Sequence, residues 1–307
     1  MDRASVFGTD DRGSIPLRGT MFRYIFGLLV LFLSTQPTPV PDSGLISITV
    51  VGDIMPARTI TANHPDSDFN YLYDSTRNLI SIADLAIANL ETPIIEKCKP
   101  FRDGMRFCAP PVHLTAIKSA GFDFLGLVNN HVYDYFDTGF QETIFHIQNT
   151  GLSAITPNQV VYKSIKNTKF AFIGVNYIPG YKKIDPLDSE LVQLINIADQ
   201  NSDIVIVFPH WGVEYQSNPS SHQKRLAHLM IDSGADLVLG SHPHWVQTTE
   251  KYQDKLIVYS HGNFVFDQFW SEATRKGIIG TYNFRQNQLV DYTHTPVYIN
   301  LSGEPQI

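Results

Sequence analysis

LISITVV, residues 45–51, runs directly into Gly52-Asp53, so that a long apolar run ends in a polar pair. Continuous apolar runs bounded by turn residues are typical of strands buried on both faces. Ligands of α/β sheets bind beyond the carboxyl ends of such strands, so we expect the terminal polar residues to meet at one edge. Four further runs repeat the pattern: DLAIA before Asn89-Leu90-Glu91, FDFLGLV before Asn129-Asn130-His131, DIVIVF before Pro209-His210, and ADLVLG before Ser241-His242-Pro243-His244.

Carboxylate, amide and imidazole side chains occur together in these five clusters. This mixture suits Mn, Zn or Fe, whereas thiolates would indicate structural zinc. The pattern therefore predicts a site for one or two divalent metal ions. The predicted ligands are Asp53, Glu91, Asn130, His210, His242 and His244.

His131 and Asp134 are the predicted catalytic residues. His131 adjoins the predicted ligand Asn130 and is free to donate a proton to a leaving group. Asp134, three residues further on, is expected to hold the imidazole of His131 in one tautomer.

Arg58, Trp211 and Trp245 are the predicted substrate-binding residues. A guanidinium at Arg58, five residues after Asp53, would clamp a carboxylate or phosphate, or else form a salt bridge near a helix start. The two tryptophans either wall a substrate cleft or simply pack loops against the sheet ends. Glu214, four residues after His210, either orients that histidine or faces solvent.

Six motifs, in this order, resemble the CapA family of bacterial capsule and poly-γ-glutamate synthesis proteins. The resemblance covers residues 46–303 and implies the calcineurin-like metallophosphoesterase fold. That is an α/β fold in which helices flank a β-sandwich of two sheets, with a metal centre at the strand ends. The motifs are GDIMPAR, ANLETP, NNHVYDY, PHWGVEY, LGSHPHW and YSHGNFVFD.

Three positions depart from the pattern that the resemblance implies. Met55 stands where the superfamily usually has a histidine ligand, and Glu91 stands where a bridging aspartate is more usual. A site with one metal and a site with two therefore both remain open. His261 stands where leucine is usual, and it either supplements the ligands or is a polar residue at a strand end.

Composition and charge limit the class of protein. A hydrophobic fraction of 43% with 17% charged residues supports a sizeable core, and the uninterrupted stretch 45–303 is predicted to form one domain. The net charge of −7 argues against nucleic acid as a partner. Within this domain, helices are expected over residues 71–82, 113–120, 138–149, 188–200 and 221–233, with a hairpin over 159–177 and paired strands over 277–301.

The N-terminal sequence predicts an extracytoplasmic protein. Residues 1–20 form a polar leader, with translation from Met21 as an alternative, and residues 21–44 form a signal peptide or membrane anchor followed by a Pro-rich tether. Membrane contact through this segment is therefore expected. Cys98 and Cys108 are the only cysteines, and in an oxidising compartment they would close a short loop, or else stay reduced.

Two functions are compatible with these features. The first is a secreted or tethered metal-dependent hydrolase that acts on a phosphoester or, as the resemblance implies, on a γ-glutamyl amide of an anionic cell-surface polymer. The second is a non-catalytic component of the capsule synthesis machinery that binds the polyanion during assembly or export. Retention of His131 as a proton donor favours the enzyme, whereas Met55 favours the binding protein.

Overall fold

The apolar runs form the inner strands of two β-sheets that pack face to face. The computed structural model describes residues 44–64, 68–99, 101–102, 104–180, 182–183 and 185–307. In chain order the strands are β1 (Ile46–Ile54), β2 (Leu85–Leu90), β3 (Phe124–Gly126), β4 (Ser153–Ile155), β5 (Val160–Ile165), β6 (Thr168–Asn176), β7 (Ile204–His210), β8 (Leu237–Leu239), β9 (Thr249–Tyr252), β10 (Lys255–Val258), β11 (Asn263–Val265), β12 (Lys276–Arg285), β13 (Gln288–Ile299) and β14 (Pro305–Gln306).

The helices lie mostly where the sequence predicts them, with one exception. The pattern over residues 71–82 predicts a single helix, but the structure has a 3-10 helix, Asn70–Tyr73, followed by a separate short α-helix. A turn in which Thr76 N–H donates to Tyr73 O at 3.1 Å separates the two pieces. The α-helices are α1 (Thr59–Asn63), α2 (Arg77–Ser81), α3 (Val112–Ala120), α4 (Phe136–Asn149), α5 (Asp188–Asn201) and α6 (Ser221–Asp232).

Parallel pairing brings the polar strand ends to a common edge in each sheet. The first sheet has the order β14-β13-β12-β1-β2-β3-β4, with β11 also paired to β1, and the second has the order β5-β6-β7-β8-β10-β9. Strands β1 to β4 are parallel to one another, as are β6, β7, β8 and β10. The carboxyl ends of parallel strands share one edge, where open α/β sheets bind ligands.

Three apolar layers hold the sandwich together. Ile48 and Val50 of β1 pack with Phe172 of β6 between the two sheets. Val51 points to the other face of β1, where the first sheet packs on α2, α3 and α4. Leu226 of α6 belongs to the corresponding layer on the outer face of the second sheet. The predicted two-sheet sandwich flanked by helices is therefore confirmed.

The N-terminal predictions fall outside this description. Residues 1–20 and, apart from Gly44, residues 21–44 lie outside the described residues. Among the residues that are described, no helix has the length and apolar character needed to cross a membrane.

Candidate metal centre

Four strand ends converge on one buried centre that contains the predicted metal ligands. Asp53 lies near the end of β1, Glu91 directly follows β2, His210 ends β7, and the His242–His244 loop follows β8. Each of these side chains is at most 4% exposed. Three overlapping groups, in each of which the candidate ligand atoms lie within 4.8 Å of one another, are Asp53/Glu91/His244, Glu91/His210/His242 and Glu214/His242/His244.

Asn130 joins this centre through His210. The amide oxygen of Asn130 lies 2.8 Å from His210 Nε2, while the other ring nitrogen, Nδ1, lies 2.9 Å from the Ser241 hydroxyl. An amide oxygen can only accept, so Nε2 carries the proton in this arrangement. The same two atoms would become ligands of a cation only when the cation takes the place of that proton.

The residues present fit a divalent cation. Glu91 Oε1 and His242 Nδ1 are buried and have no hydrogen-bond partner among the described residues. Leaving such an atom unsatisfied costs about 1–3 kcal/mol, so a cation within reach of both would remove a real penalty. Carboxylate, imidazole and amide donors in one cluster suit Mn, Zn or Fe.

The electrostatics of the cluster also favour a cation. Burial, followed by the charge of Asp53 and then that of Glu214, raises the pKa of Glu91 well above its usual range. Burial, followed by the neighbouring histidines, lowers the pKa of His210 well below its usual range and that of His242 to about 3. Neutral imidazoles are the protonation state that a divalent metal requires, and a cation beside Glu91 would offset the burial and the neighbouring negative charge that otherwise favour its protonated form.

Amide side chains that the sequence analysis did not select hold the carboxylates and His244 in place. Asn89 Nδ2 donates to Asp53 Oδ1 at 2.8 Å and to Glu91 Oε2 at 3.3 Å. Asn263 Oδ1 lies 2.9 Å from His244 Nδ1 and fixes the orientation of that ring. Asn89 lies two residues before Glu91 in the motif ANLETP, and this proximity could have identified it. Asn263 lies in YSHGNFVFD, which contains none of the predicted ligands, so only the fold reveals its role.

The loop that carries the two terminal histidines adopts an unusual backbone. His242 has φ 94° and His244 has φ 59°, a region that costs non-glycine residues of order 1–3 kcal/mol. Hydrogen bonds from His242 N–H to Asp53 Oδ2 (3.3 Å) and from Tyr215 N–H to Pro243 O (2.9 Å) hold this loop. The surrounding structure therefore enforces a strained conformation that directs both imidazoles towards the carboxylates.

His131 lies beside the centre and is oriented by two neighbours. Its Nδ1 lies 3.0 Å from Asp134 Oδ2, and the Phe107 ring stacks on the imidazole with centroids 4.1 Å apart. Phe107 N–H also donates to Asp134 Oδ2 at 2.7 Å. With Nδ1 engaged, Nε2 is the nitrogen left to exchange a proton with a bound molecule.

A cleft of about 410 Å³ opens over the centre. His131 and His244 form part of its floor, and Arg58 lies in its wall. Arg58 is ion-paired with Asp267 and donates from Nε to Asp267 Oδ1 at 3.0 Å. Other lining residues are Thr59, Arg102, Gly104, Met105, Phe107, Glu214, Tyr215, Phe266, Asp267, Gln268 and Trp270.

Of the two tryptophans predicted to bind substrate, neither lines this cleft. Trp211 is fully buried in the layer between the second sheet and its helices, where its indole N–H donates to Tyr259 O at 2.9 Å. Successive residues along a strand face opposite ways, so Trp211 points away from the side that His210 occupies. Trp245 is half-buried against Tyr215 with ring centroids 6.4 Å apart and lies outside the lining.

Met55 and His261 do not reach the centre. Met55 is fully buried in an apolar cluster with Phe107 and Phe266. His261 is buried with Nδ1 3.2 Å from Gly240 O and Nε2 2.8 Å from the Tyr282 hydroxyl, so both of its nitrogens face protein partners. His261 is therefore a structural histidine here and not an additional ligand.

Cys98 and Cys108 form a disulfide that closes a short loop beside the cleft. Gly104, Met105 and Phe107 of this loop line the cleft. The bond therefore anchors a segment that contacts His131 through Phe107.

Sequence comparison identifies relatives over most of the chain. A family model described as "Bacterial capsule synthesis protein PGA_cap" matches residues 47–268. The chain is 30% identical over 298 residues to the capsule biosynthesis protein CapA of Bacillus anthracis, covering 89% of this chain and 72% of that protein. It is 27% identical over 305 residues to the PGA biosynthesis protein CapA of Bacillus subtilis (strain 168), covering 90% and 79%.

Solved structures identify the fold. A phosphatase from Mycoplasma pneumoniae superposes with a TM-score of 0.57 at 13% identity, covering 83% of this chain and 94% of that one. A 5'-nucleotidase from Candida albicans SC5314 superposes with a TM-score of 0.50 at 12% identity, covering 84% and 52%. These similarities show a metallophosphoesterase-like fold, and fold alone does not determine a substrate.

Proposed function

The chain belongs to the bacterial capsule synthesis family PGA_cap, and we propose that it is an extracytoplasmic, metal-dependent hydrolase of that family. One observation carries this proposal. A cluster of buried carboxylates and imidazoles that fits a divalent cation shares a cleft with an oriented proton donor, His131. A protein that only binds a polymer has no need for the His131–Asp134 pair.

The ligands divide into two overlapping sets. Asp53, Glu91 and His244 would hold one cation, and Glu91 with Asn130, His210 and His242 would hold a second. When bound, such cations supply Lewis-acid activation of water and of the bond that is cleaved. Glu91 is common to both sets, so its carboxylate would be a ligand in each.

His131 completes the reaction on the leaving-group side. Its Nε2 donates a proton to the departing oxygen or nitrogen, while Asp134 accepts from Nδ1–H and stabilises the imidazolium that exists before transfer. Phe107 covers one face of the ring and restricts its rotation. General-acid catalysis of this kind contributes about 10²–10⁴-fold to a rate.

The cleft favours an anionic substrate. Arg58 and Arg102 line it together with the aromatic residues Tyr215, Phe266 and Trp270. A planar guanidinium recognises carboxylate or phosphate groups, so a phosphoester or a γ-glutamyl amide of an anionic cell-surface polymer is the proposed substrate. The Bacillus relatives are described as proteins of capsule and PGA biosynthesis, which supports the polymer and the capsule synthesis machinery as partners.

Two features support the extracytoplasmic location. The Cys98–Cys108 disulfide is typical of an oxidising compartment. The apolar run Tyr24–Leu33 after Arg23 has the character of a signal peptide or anchor, which would give the protein contact with the membrane.

A second candidate function is polyanion binding without turnover. Met55 favours it, because this residue is buried among apolar side chains beside Asp53 and gives the first ligand set no additional donor. In this alternative the metal centre and the arginines would hold the polymer during assembly or export.

Turnover measurements on the full chain distinguish the two functions. The protein, supplied with Mn²⁺, is assayed on an aryl phosphodiester and on a γ-glutamyl anilide, alongside His131→Ala. If the rate of hydrolysis is about 10²–10⁴-fold lower in His131→Ala than in the wild type while the metal content is unchanged, the proposed hydrolase function is supported. His222→Ala, which alters an exposed histidine of α6, is the matched control. Polymer binding that is equal in wild type and His131→Ala, without hydrolysis of either compound, would support the second function.

A further inference from the structure

We propose that Glu214 is a direct metal ligand, acting together with His242 and His244 on the cleft side of the centre. This inference rests on the proposed metal centre and deepens it. Glu214 lies within 4.8 Å of ligand atoms of both His242 and His244, which belong to different ligand sets. The sequence suggested that it would orient His210 or face solvent, but both ring nitrogens of His210 are engaged by Asn130 and Ser241.

Glu214 supplies the carboxylate of its group. His242 and His244 contribute two imidazoles, so the group has three protein donors. Three protein ligands with a further position left for water are typical of catalytic zinc sites. Glu214 is the carboxylate of the cleft lining that also groups with His244.

Unsatisfied atoms in the same cluster independently indicate a ligand. His242 is 4% exposed and Glu91 is fully buried, yet His242 Nδ1 and Glu91 Oε1 have no hydrogen-bond partner among the described residues. Glu214 groups with His242 and His244, so its carboxylate adds negative charge beside His242. A cation bound by Glu214 and His242 would satisfy the orphaned nitrogen, while Glu91 Oε1 belongs to the two neighbouring groups.

The backbone fixes Glu214 in this position. Gly212 has φ 93°, and a Cβ at that position would lie 2.6 Å from the Gln223 side chain, so the turn after β7 requires glycine. Directly after Glu214, Tyr215 N–H donates to Pro243 O at 2.9 Å, which ties this loop to the one that carries His242 and His244. The hydrogen bond therefore holds the two loops in a fixed relation.

Glu214 is not required as the partner of the cleft arginine. Arg58 is paired with Asp267, which is 2% exposed and also accepts from Thr59 N–H at 3.1 Å. The Tyr215 hydroxyl does contact the Glu214 carboxylate. A carboxylate has about four lone-pair sites, so that contact leaves Glu214 able to bind a cation.

Metal titration of Glu214→Gln tests the proposal. Apoprotein prepared from the full chain is titrated with Mn²⁺, and bound ions are counted by elemental analysis and by electron paramagnetic resonance. We expect Glu214→Gln, which keeps the side-chain shape, to lose one of two ions or to bind its weakest ion at least about 100-fold less tightly. Glu272→Gln is the matched control, because it removes the same charge from a surface residue that is hydrogen-bonded to Tyr298. This variant should bind Mn²⁺ with the stoichiometry and affinity of the wild type.

Equal stoichiometry and affinity in wild type and Glu214→Gln would overturn the proposal. Glu214 is half-exposed on a loop, so the variant is expected to fold, and Glu214→Ala repeats the test with the side chain truncated. The titration counts ions and not turnover. A wild type that binds metal through Glu214 but hydrolyses nothing would therefore refute the proposed hydrolase and leave this inference standing.

Discussion

His131 Nδ1 lies 3.0 Å from Asp134 Oδ2, and the same carboxylate oxygen accepts from Phe107 N–H at 2.7 Å. These contacts hold the His131 ring with Nδ1–H towards Asp134 and with Nε2 left for the cleft that the histidine lines. A single carboxylate therefore links the proposed proton donor to the disulfide-closed loop.

Asp134→Asn should lower turnover while leaving metal content unchanged. An amide at this position no longer specifies the tautomer of His131, so kcat should fall by between about 10-fold and 10⁴-fold, the upper value corresponding to complete loss of the proton donor. Steady-state kinetics beside elemental analysis provide the measurement. Wild-type kcat in Asp134→Asn would show that the contact has no part in catalysis.

Removal of the disulfide should cost stability and disturb the cleft. Cys98 and Cys108 are 10 residues apart, and closing a loop of this length stabilises a fold by about 2–3 kcal/mol in the chain-entropy model. The double variant Cys98→Ser/Cys108→Ser should therefore unfold at lower urea concentration than the wild type. Turnover should fall as well, because Phe107 is next to Cys108. An unchanged free energy of unfolding would contradict this expectation.

His113 should make the fold sensitive to acid. Burial lowers its pKa to about 3, and its Nε2 lies 2.8 Å from the Thr61 hydroxyl. The unfolded value is about 6.5, so the unfolded chain binds more protons between these two values, and stability falls as pH drops from about 6.5 towards 3. Protonation of His113 therefore lowers the free energy of unfolding by up to about 1.4 kcal/mol for each pH unit in this range.

His113→Gln should therefore show a shallower loss of stability below pH 6.5. Urea unfolding between pH 4 and 7 in the presence of EDTA measures this slope without a contribution from bound metal. His222→Gln, at an exposed position, should retain the wild-type slope. If the free energy of unfolding falls equally steeply with decreasing pH in His113→Gln and in the wild type, His113 does not determine the loss of stability in acid.

The buried strands and their ligand edge could be predicted from local pattern, whereas the two-sheet sandwich followed from the family resemblance. A buried strand that ends in Asp53 or His210 can be recognised from its own residues, and parallel strands bring such ends together. Trp211 was predicted either to bind substrate or to pack against the sheet ends, and the structure places it in the apolar layer with the helices, opposite His210. The period of two along β7 is therefore sufficient to place Trp211 on the helix side.

Glu214 could not be placed in the same way. Its position depends on a left-handed turn at Gly212 and on the bond from Tyr215 to Pro243, and a sequence pattern does not specify long-range loop contacts of this kind. The side chain of His261 was also ambiguous, because its burial against Tyr282 depends on the packing of β12 beside β1.

Metal content of the purified full chain, compared between wild type, His242→Ala and His261→Ala, tests the metal centre most directly. We predict one or two divalent ions in the wild type and loss of metal in His242→Ala. His261→Ala should keep the wild-type metal content. It should instead lose about 1–3 kcal/mol of stability, because the Tyr282 hydroxyl loses its partner His261. Equal metal content in wild type and His242→Ala, or a wild type that binds no metal, would contradict the account.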